Sequence, residues 1–164
     1  MAFQSSVNRV NTYGIQGDLA NGQVPHYTPT TPRVAANDSI NVGGFAWVSD
    51  SNGVATAASS GTGAPTGIVQ RVKDVPNYTI KSEGSLAVPA GRKCDVIVWG
   101  DVFVNVPSAA VGKVLYANNT TGAITCNTAG QTVSGSTETN WKIISLANNA
   151  AAAGGSICIV SNVK

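Results

Sequence analysis

The chain has 164 residues, of which only 11% are charged, and a formal net charge of +2. An average soluble protein is about 25% charged, so the polar surface here is built from Ser, Thr, Asn and Gln. Arg71 with Lys73, and Arg92 with Lys93, are isolated couples in a chain without a basic run, so nucleic-acid binding, which draws on several phosphate contacts, is not expected.

No run of about 18 apolar residues occurs, so no membrane-spanning helix is expected. The start, Met1 to Ser6, lacks a basic stretch followed by an apolar core, so no secretory signal is expected either. The cysteines, Cys94, Cys126 and Cys158, are far apart and odd in number. That pattern argues against a zinc knuckle and against a complete disulfide framework. Cys94 and Cys158 sit in apolar strand patterns and read as small buried hydrophobes.

In chain order, residues 1–38 form a leading arm. Gly14, Gly17, Gly22, Pro25, Pro29 and Pro32 interrupt any helix. Val7, Val10, Tyr13, Ile15, Leu19 and Val24 give the arm apolar anchors. Such a segment is either a disordered tail or an arm that lies on a neighbouring subunit through its backbone hydrogen bonds. The anchors favour the arm, and these residues are candidate contacts with a partner.

Residues 39–164 read as the body. Ile40 to Val48 is a strand region with a bulge or bend at Gly43-Gly44. Asp50 to Gly53 is a hairpin turn, with Asn52-Gly53 supplying positive φ, and Val54 to Ala58 returns. Ser59 to Gly63 is a flexible loop. Ile68 to Val72 and Tyr78 to Lys81 are further strands.

The densest apolar stretch is Leu86 to Val106. It reads as three strands, Leu86 to Val88, Lys93 to Trp99 and Val102 to Val106, with corners at Pro89-Ala90-Gly91 and Gly100-Asp101. Val102, Val104 and Val106 share one face and can wall a core. Lys113 to Ala117 and Ala123 to Cys126 form a second hairpin. Asn127 to Asn140 reads as a loop or ragged edge strands, Trp141 to Leu146 and Ser156 to Val160 as the last strands, and Ala147 to Gly155 as at most one helical turn. About ten short strands with regular turn signals point to an all-β domain, a β-sandwich, jelly-roll-like or barrel.

Residues able to carry chemistry are few. His26 is the one histidine, and Glu83 and Glu138 are the only glutamates. His26 sits in the Pro-rich arm, a poor platform for a general base. Paired-carboxylate chemistry would need two acids held about 5–10 Å apart; Asp95 and Asp101 flank the central corner, and Asp101, following Gly100, reads as a turn cap, as do Asp50 and Asp74. No catalytic residue, metal site or cofactor is expected. Trp47, Trp99 and Trp141 could stack on sugars if exposed together, which leaves a carbohydrate-binding β-sandwich as the alternative. Trp99, at the end of a strand, reads equally as a core or interface anchor.

Several pieces, in order, carry a resemblance: Gly17-Asp18 in the arm, Val42 to Val48 (VGGFAWV), Gly63 to Arg71 (GAPTGIVQR), Val88 to Gly91 (VPAG) with Val96 to Val104 (VIVWGDVFV), and Gly112 to Ala117 (GKVLYA). Over Phe3 to Ile124 the chain resembles the capsid cement, or decoration, proteins of tailed bacteriophages. From Asn127 onward the likeness is one of general character. The resemblance implies a non-enzymatic virion protein, made in the host bacterial cytoplasm. It implies binding as a homodimer or homotrimer to the major capsid protein on the outer face of the expanded shell. There such a protein ties neighbouring capsomers together against the pressure of packaged DNA.

Overall fold

Phe45-Ala46, Ile68-Val69 and Val96-Ile97 are pairs of adjacent apolar residues, and adjacent residues on a strand point to opposite faces. All six are fully buried, so the strands that carry them have protein on both sides. The computed structural model describes residues 14–20, 24–72, 79–80, 86–146 and 156–162, and contains no helix among them. Its strands are β1 (His26–Tyr27), β2 (Arg33–Val34), β3 (Ser39–Asn41), β4 (Phe45–Ser51), β5 (Val54–Ala58), β6 (Gly67–Val69), β7 (Thr79–Ile80), β8 (Leu86–Pro89), β9 (Val96–Trp99), β10 (Asp101–Val106), β11 (Val114–Asn118), β12 (Ile124–Asn127), β13 (Ser136–Leu146) and β14 (Ser156–Ser161).

They make three sheets, in the orders β1-β9-β6-β4-β5-β2, β10-β14-β13-β11-β12 and β3-β8-β7. The six-stranded sheet is the middle layer. Phe45, Ile68 and Ile97 join Val102, Val104, Val106, Trp141 and Cys158 in a first core against the five-stranded sheet. Their neighbours Ala46, Val69 and Val96 join Val34, Ile40, Val88 and Cys94 in a second core against the three-stranded sheet. The five-stranded sheet curls: Cys126 Sγ on β12 comes within 3.7 Å of the Pro107 carbonyl and 3.5 Å of the Ser108 carbonyl, just past β10. The curl does not close into a ladder, so the domain is an all-β sandwich and not a barrel.

The fourteen strands exceed the ten or so expected, because two-residue strands such as β1 and β2 carry no alternation to read. The Asn52-Gly53 turn has φ of 54° and 76° and joins β4 to β5 with Ser51 opposite Val54, the two-residue hairpin its sequence predicts. The Ile40–Val48 region is two strands: β3 and β4 belong to different sheets, with Gly43-Gly44 between them. The expected Lys93–Trp99 strand begins only at Val96; Lys93 makes an isolated bridge to Arg33. The stretch expected to be ragged before Asn140 is partly regular. β13 starts at Ser136 and pairs with β11 through Tyr116–Glu138, Ala117–Thr137 and Asn118–Ser136. Its inward positions before Trp141 are polar, with Thr139 buried, so the stretch carries no apolar alternation to read. The expected helical turn at 147–155 lies outside the described residues.

Only Gly100 separates β9 in the middle sheet from β10 in the five-stranded sheet. One piece of chain therefore crosses between layers at this residue, with φ of 130°. A Cβ there would lie 3.3 Å from Pro25 Cα, so side-chain-bearing residues meet both backbone strain and a tight neighbour. Gly100→Ala is expected to lower unfolding free energy by about 1–3 kcal/mol, measured by urea titration. Gly53→Ala meets no atom within 4 Å and is expected to show the backbone penalty alone.

Candidate functional site

Extended chain covers a sheet edge when its backbone groups can pair with that edge, and the leading segment does this twice. Gly17 N–H donates to the Phe103 carbonyl at 2.8 Å, Phe103 N–H to Asp18 at 2.9 Å, and Ala20 N–H to Asp101 at 2.9 Å. Leu19 bridges Val102 in antiparallel sense. Seven residues after Leu19, β1 pairs antiparallel with β9, His26 opposite Trp99 and Tyr27 opposite Ile97, and Thr28 N–H reaches the Val96 carbonyl at 3.1 Å. The segment thus runs alongside both β10 and β9, on either side of the Gly100 corner.

Further contacts hold it in place. Arg71 N–H donates to the Gly17 carbonyl at 2.9 Å, and the Arg71 guanidinium lies 3.5 Å from Asp18 Oδ1. Such a partly exposed pair contributes little energy by itself, but it fixes the segment against the end of β6. Gly14 lies directly on the Phe103 ring; a Cβ there would be 2.4 Å from Phe103 Cδ2.

With the backbone turned to the sheet edges, several apolar side chains face out. Ile15 is 53% exposed, Leu19 37% and Val24 78%, while Ala20 faces in. Trp99 is half-buried, and His26 packs on it with ring centroids 4.8 Å apart and planes 36° from parallel. Tyr27, also exposed, joins this group; its place in a Pro-rich arm gave no sequence signal for contact. Burial and the Asp95 charge raise its hydroxyl pKa above the usual value, and a hydrogen bond from Gln70 opposes them. Of the sequence candidates, Ile15, Leu19, Val24 and Trp99 are therefore on or beside one stretch of chain, and Val7, Val10 and Tyr13 lie outside the described residues. Exposed apolar groups of this kind mark contact surfaces when they cluster.

A family model described as structural cement protein (E217 gp24/Pam3 gp6) matches residues 3–162. The chain belongs to the phage structural cement protein family. Comparison with curated proteins gives no match. The family match runs past Ile124, so the C-terminal strands β13 and β14 are part of the cement-protein architecture as well as the motif-bearing first two-thirds.

Groups that could have carried chemistry in a different kind of protein have structural partners in this cement protein. Glu138 Oε2 lies 2.9 Å from the Tyr116 hydroxyl and accepts from Gly130 N–H at 2.9 Å, tying the turn before β13 to β11. Burial, then the hydrogen bond and charge of Glu138, raise the Tyr116 pKa. Asp38 accepts three bonds at 2.7 Å, from Ser39 N–H, Ser59 N–H and the Ser59 hydroxyl. Asp101 is buried at the head of β10 instead of standing on an open turn. Trp141 is buried in the first core, and the Trp47 indole donates to the Gly63 carbonyl at 3.1 Å. The three tryptophans therefore do not form one exposed stacking platform. Among the described residues no cluster of three His, Cys, Asp or Glu side chains could hold a metal ion.

Cys94 and Cys158 are buried, free thiols. Burial first, and then the charges of Asp95 and of Cys126 respectively, push both up to about 12 from an ordinary value of 9.0. The folded state thus holds these protons where the unfolded chain has lost them. Stability they contribute is complete below pH 9 and falls as pH rises toward about 12. The denaturation midpoint is expected to drop across that window, and the slope to flatten in the Cys94→Ala, Cys158→Ala double variant. Loss of stability on the acid side of neutrality would be the wrong sign for this mechanism.

Proposed function

We propose that this cement protein binds the outer face of the expanded phage shell and links neighbouring capsomers, stabilising the shell against packaged DNA. Its partners in this reading are the major capsid protein and further copies of itself, in a homodimer or homotrimer. It is a passive binder without catalytic role. The observation that carries the reading is the family match across residues 3–162.

The geometry supports it in three ways. A three-layer β body with two cores is stiff enough to transmit load. The candidate contacts Ile15, Leu19 and Trp99 sit on chain whose backbone is already hydrogen-bonded, and Val24 lies two residues before β1, so less freedom is lost when they meet a partner. The sparse charge of the surface suits close approach to a protein lattice. Arm 1–38 and body 39–164 are then a functional division: the arm displays contacts, and the body holds the arm. Several modest contacts made from one oligomer add through effective concentration.

The test mixes purified protein with expanded shells that lack it and follows co-sedimentation. Folded protein that stays in the supernatant refutes the reading. Ile15→Asp, Leu19→Asp and Val24→Asp together are expected to leave the fold intact, since these side chains are exposed, and to weaken shell binding about ten-fold or more. Val54→Asp, at a hairpin end and 60% exposed, is expected to leave binding unchanged.

A further inference from the structure

A bridge between strands sets side by side residues that the sequence keeps far apart. Lys93, just before β9, bridges Arg33 at the start of β2 in antiparallel sense. Val34 N–H donates to the Arg92 carbonyl at 2.9 Å, and Cys94 N–H to the Pro32 carbonyl at 3.0 Å. These two bonds flank the Arg33–Lys93 pair and none joins the pair itself. A pair of this kind is the close type, with Cα atoms about 4.5 Å apart and side chains on one face. Val34 and Cys94 belong to the second core, so Arg33 and Lys93 turn to solvent, and both are exposed.

Like charges directly opposite one another are destabilising. The Arg33 guanidinium donates to the Gly91 carbonyl at 3.0 Å, which leans it toward the loop that carries Arg92, also exposed. Among the described residues the ion pair present is Arg71–Asp18, so Arg33, Arg92 and Lys93 have no acidic partner there. Asp95, two residues past Lys93, makes no ion pair with it; its charge acts on Cys94 and Tyr27. The described cations are Arg33, Arg71, Arg92, Lys93, Lys113 and Lys142. Half of them thus gather at one bridge, in a chain with few charges to spend.

From this placement we infer that Arg33, Arg92 and Lys93 form a contact surface for acidic side chains of the shell protein. The inference rests on the shell-binding reading and adds a partner chemistry to it. Carboxylates suit the site better than DNA does. Three cations fall short of the run of phosphate contacts that nucleic-acid binding draws on, whereas an arginine fork takes one carboxylate through two parallel bonds. A partner carboxylate beside Arg33 and Lys93 also relieves the repulsion that the free protein carries. The surface differs in kind from the apolar contacts Ile15, Leu19 and Val24: charge guides approach and register, and apolar burial holds.

The experiment follows co-sedimentation with expanded shells over a series of salt concentrations, comparing unmodified protein with the Arg92→Gln, Lys93→Gln double variant. Arg33 is kept because its side chain holds Gly91. At low salt the double variant is expected to bind about ten-fold more weakly, with an affinity that falls less steeply as salt rises. Equal binding with equal salt dependence overturns the inference and leaves shell binding standing; unmodified protein that fails to bind overturns both. Lys142→Gln, exposed on β13, is expected to match the unmodified protein, and a loss there equal to that of the double variant assigns the effect to net charge and overturns the inference. Duplex DNA is tested in parallel. DNA binding that the double variant loses, with shell binding unchanged, assigns the patch to phosphate and likewise overturns it. A last measurement needs no shells: Lys93→Gln alone removes the opposed charge and is expected to raise the thermal midpoint in low-salt buffer by about 1–3 °C. A lower midpoint reveals an internal partner for Lys93 and overturns the inference.

Discussion

The passage of one strand through two layers is the constraint on which the rest depends. β9 lies between β1 and β6 in the middle sheet, and β10 pairs with β14 at the edge of the five-stranded sheet. The corner between them is one glycine. Because the crossing is so short, the two sheets cannot slide relative to one another without breaking hydrogen bonds on both sides of it. Asn162 reinforces the join: its backbone N–H reaches the Gly100 carbonyl at 3.3 Å and its side-chain amide donates to the Val98 carbonyl at 2.8 Å. β9, which leads into this crossing, divides the two hydrophobic cores, since Ile97 serves the first and Val96 the second.

The leading segment solves a problem that the crossing creates. β10 is an edge strand, and an uncovered edge is a template for uncontrolled pairing. Residues 17–20 occupy that edge, and β1 occupies the outer edge of β9. Pairing with the edge of β10 turns Leu19 outward and Ala20 inward, and the side chains of Ile15 and Val24, outside the paired residues, are exposed as well. Cover and display are thus two faces of the same backbone pairing. For a structural cement protein the combination is apt: exposed apolar side chains stand beside anchored chain, and the edge that could nucleate aggregation is closed.

The described polar side chains in tight geometry, Asp38, Glu138 and the Trp47 indole, serve turns and loops. With few charges in the chain, each is used to hold a connection that backbone pairing alone would leave loose. Burial of the Cys94 and Cys158 thiols is tolerated because they pack as small apolar groups, each thiol beside a backbone carbonyl, and stay protonated near neutrality.

Residue order alone established the strand-forming character of the chain, the Asn52-Gly53 hairpin, the inward wall of Val102, Val104 and Val106, and the apolar residues of the leading segment. These depend on local chemistry: β-branching, period-two alternation and residues that accept positive φ. The tertiary structure decided the rest. Phe45-Ala46, Ile68-Val69 and Val96-Ile97 read as dense apolar runs, and only the packing shows that each pair divides between two cores, making three layers. The short strands β1 and β2 exist because neighbouring strands offer them an edge, a long-range partner that two residues cannot announce. Likewise Leu19 and Ala20 look alike as apolar neighbours. Which of them turns outward is set by the register against β10, because pairing across space and not sequence fixes the facing of a strand.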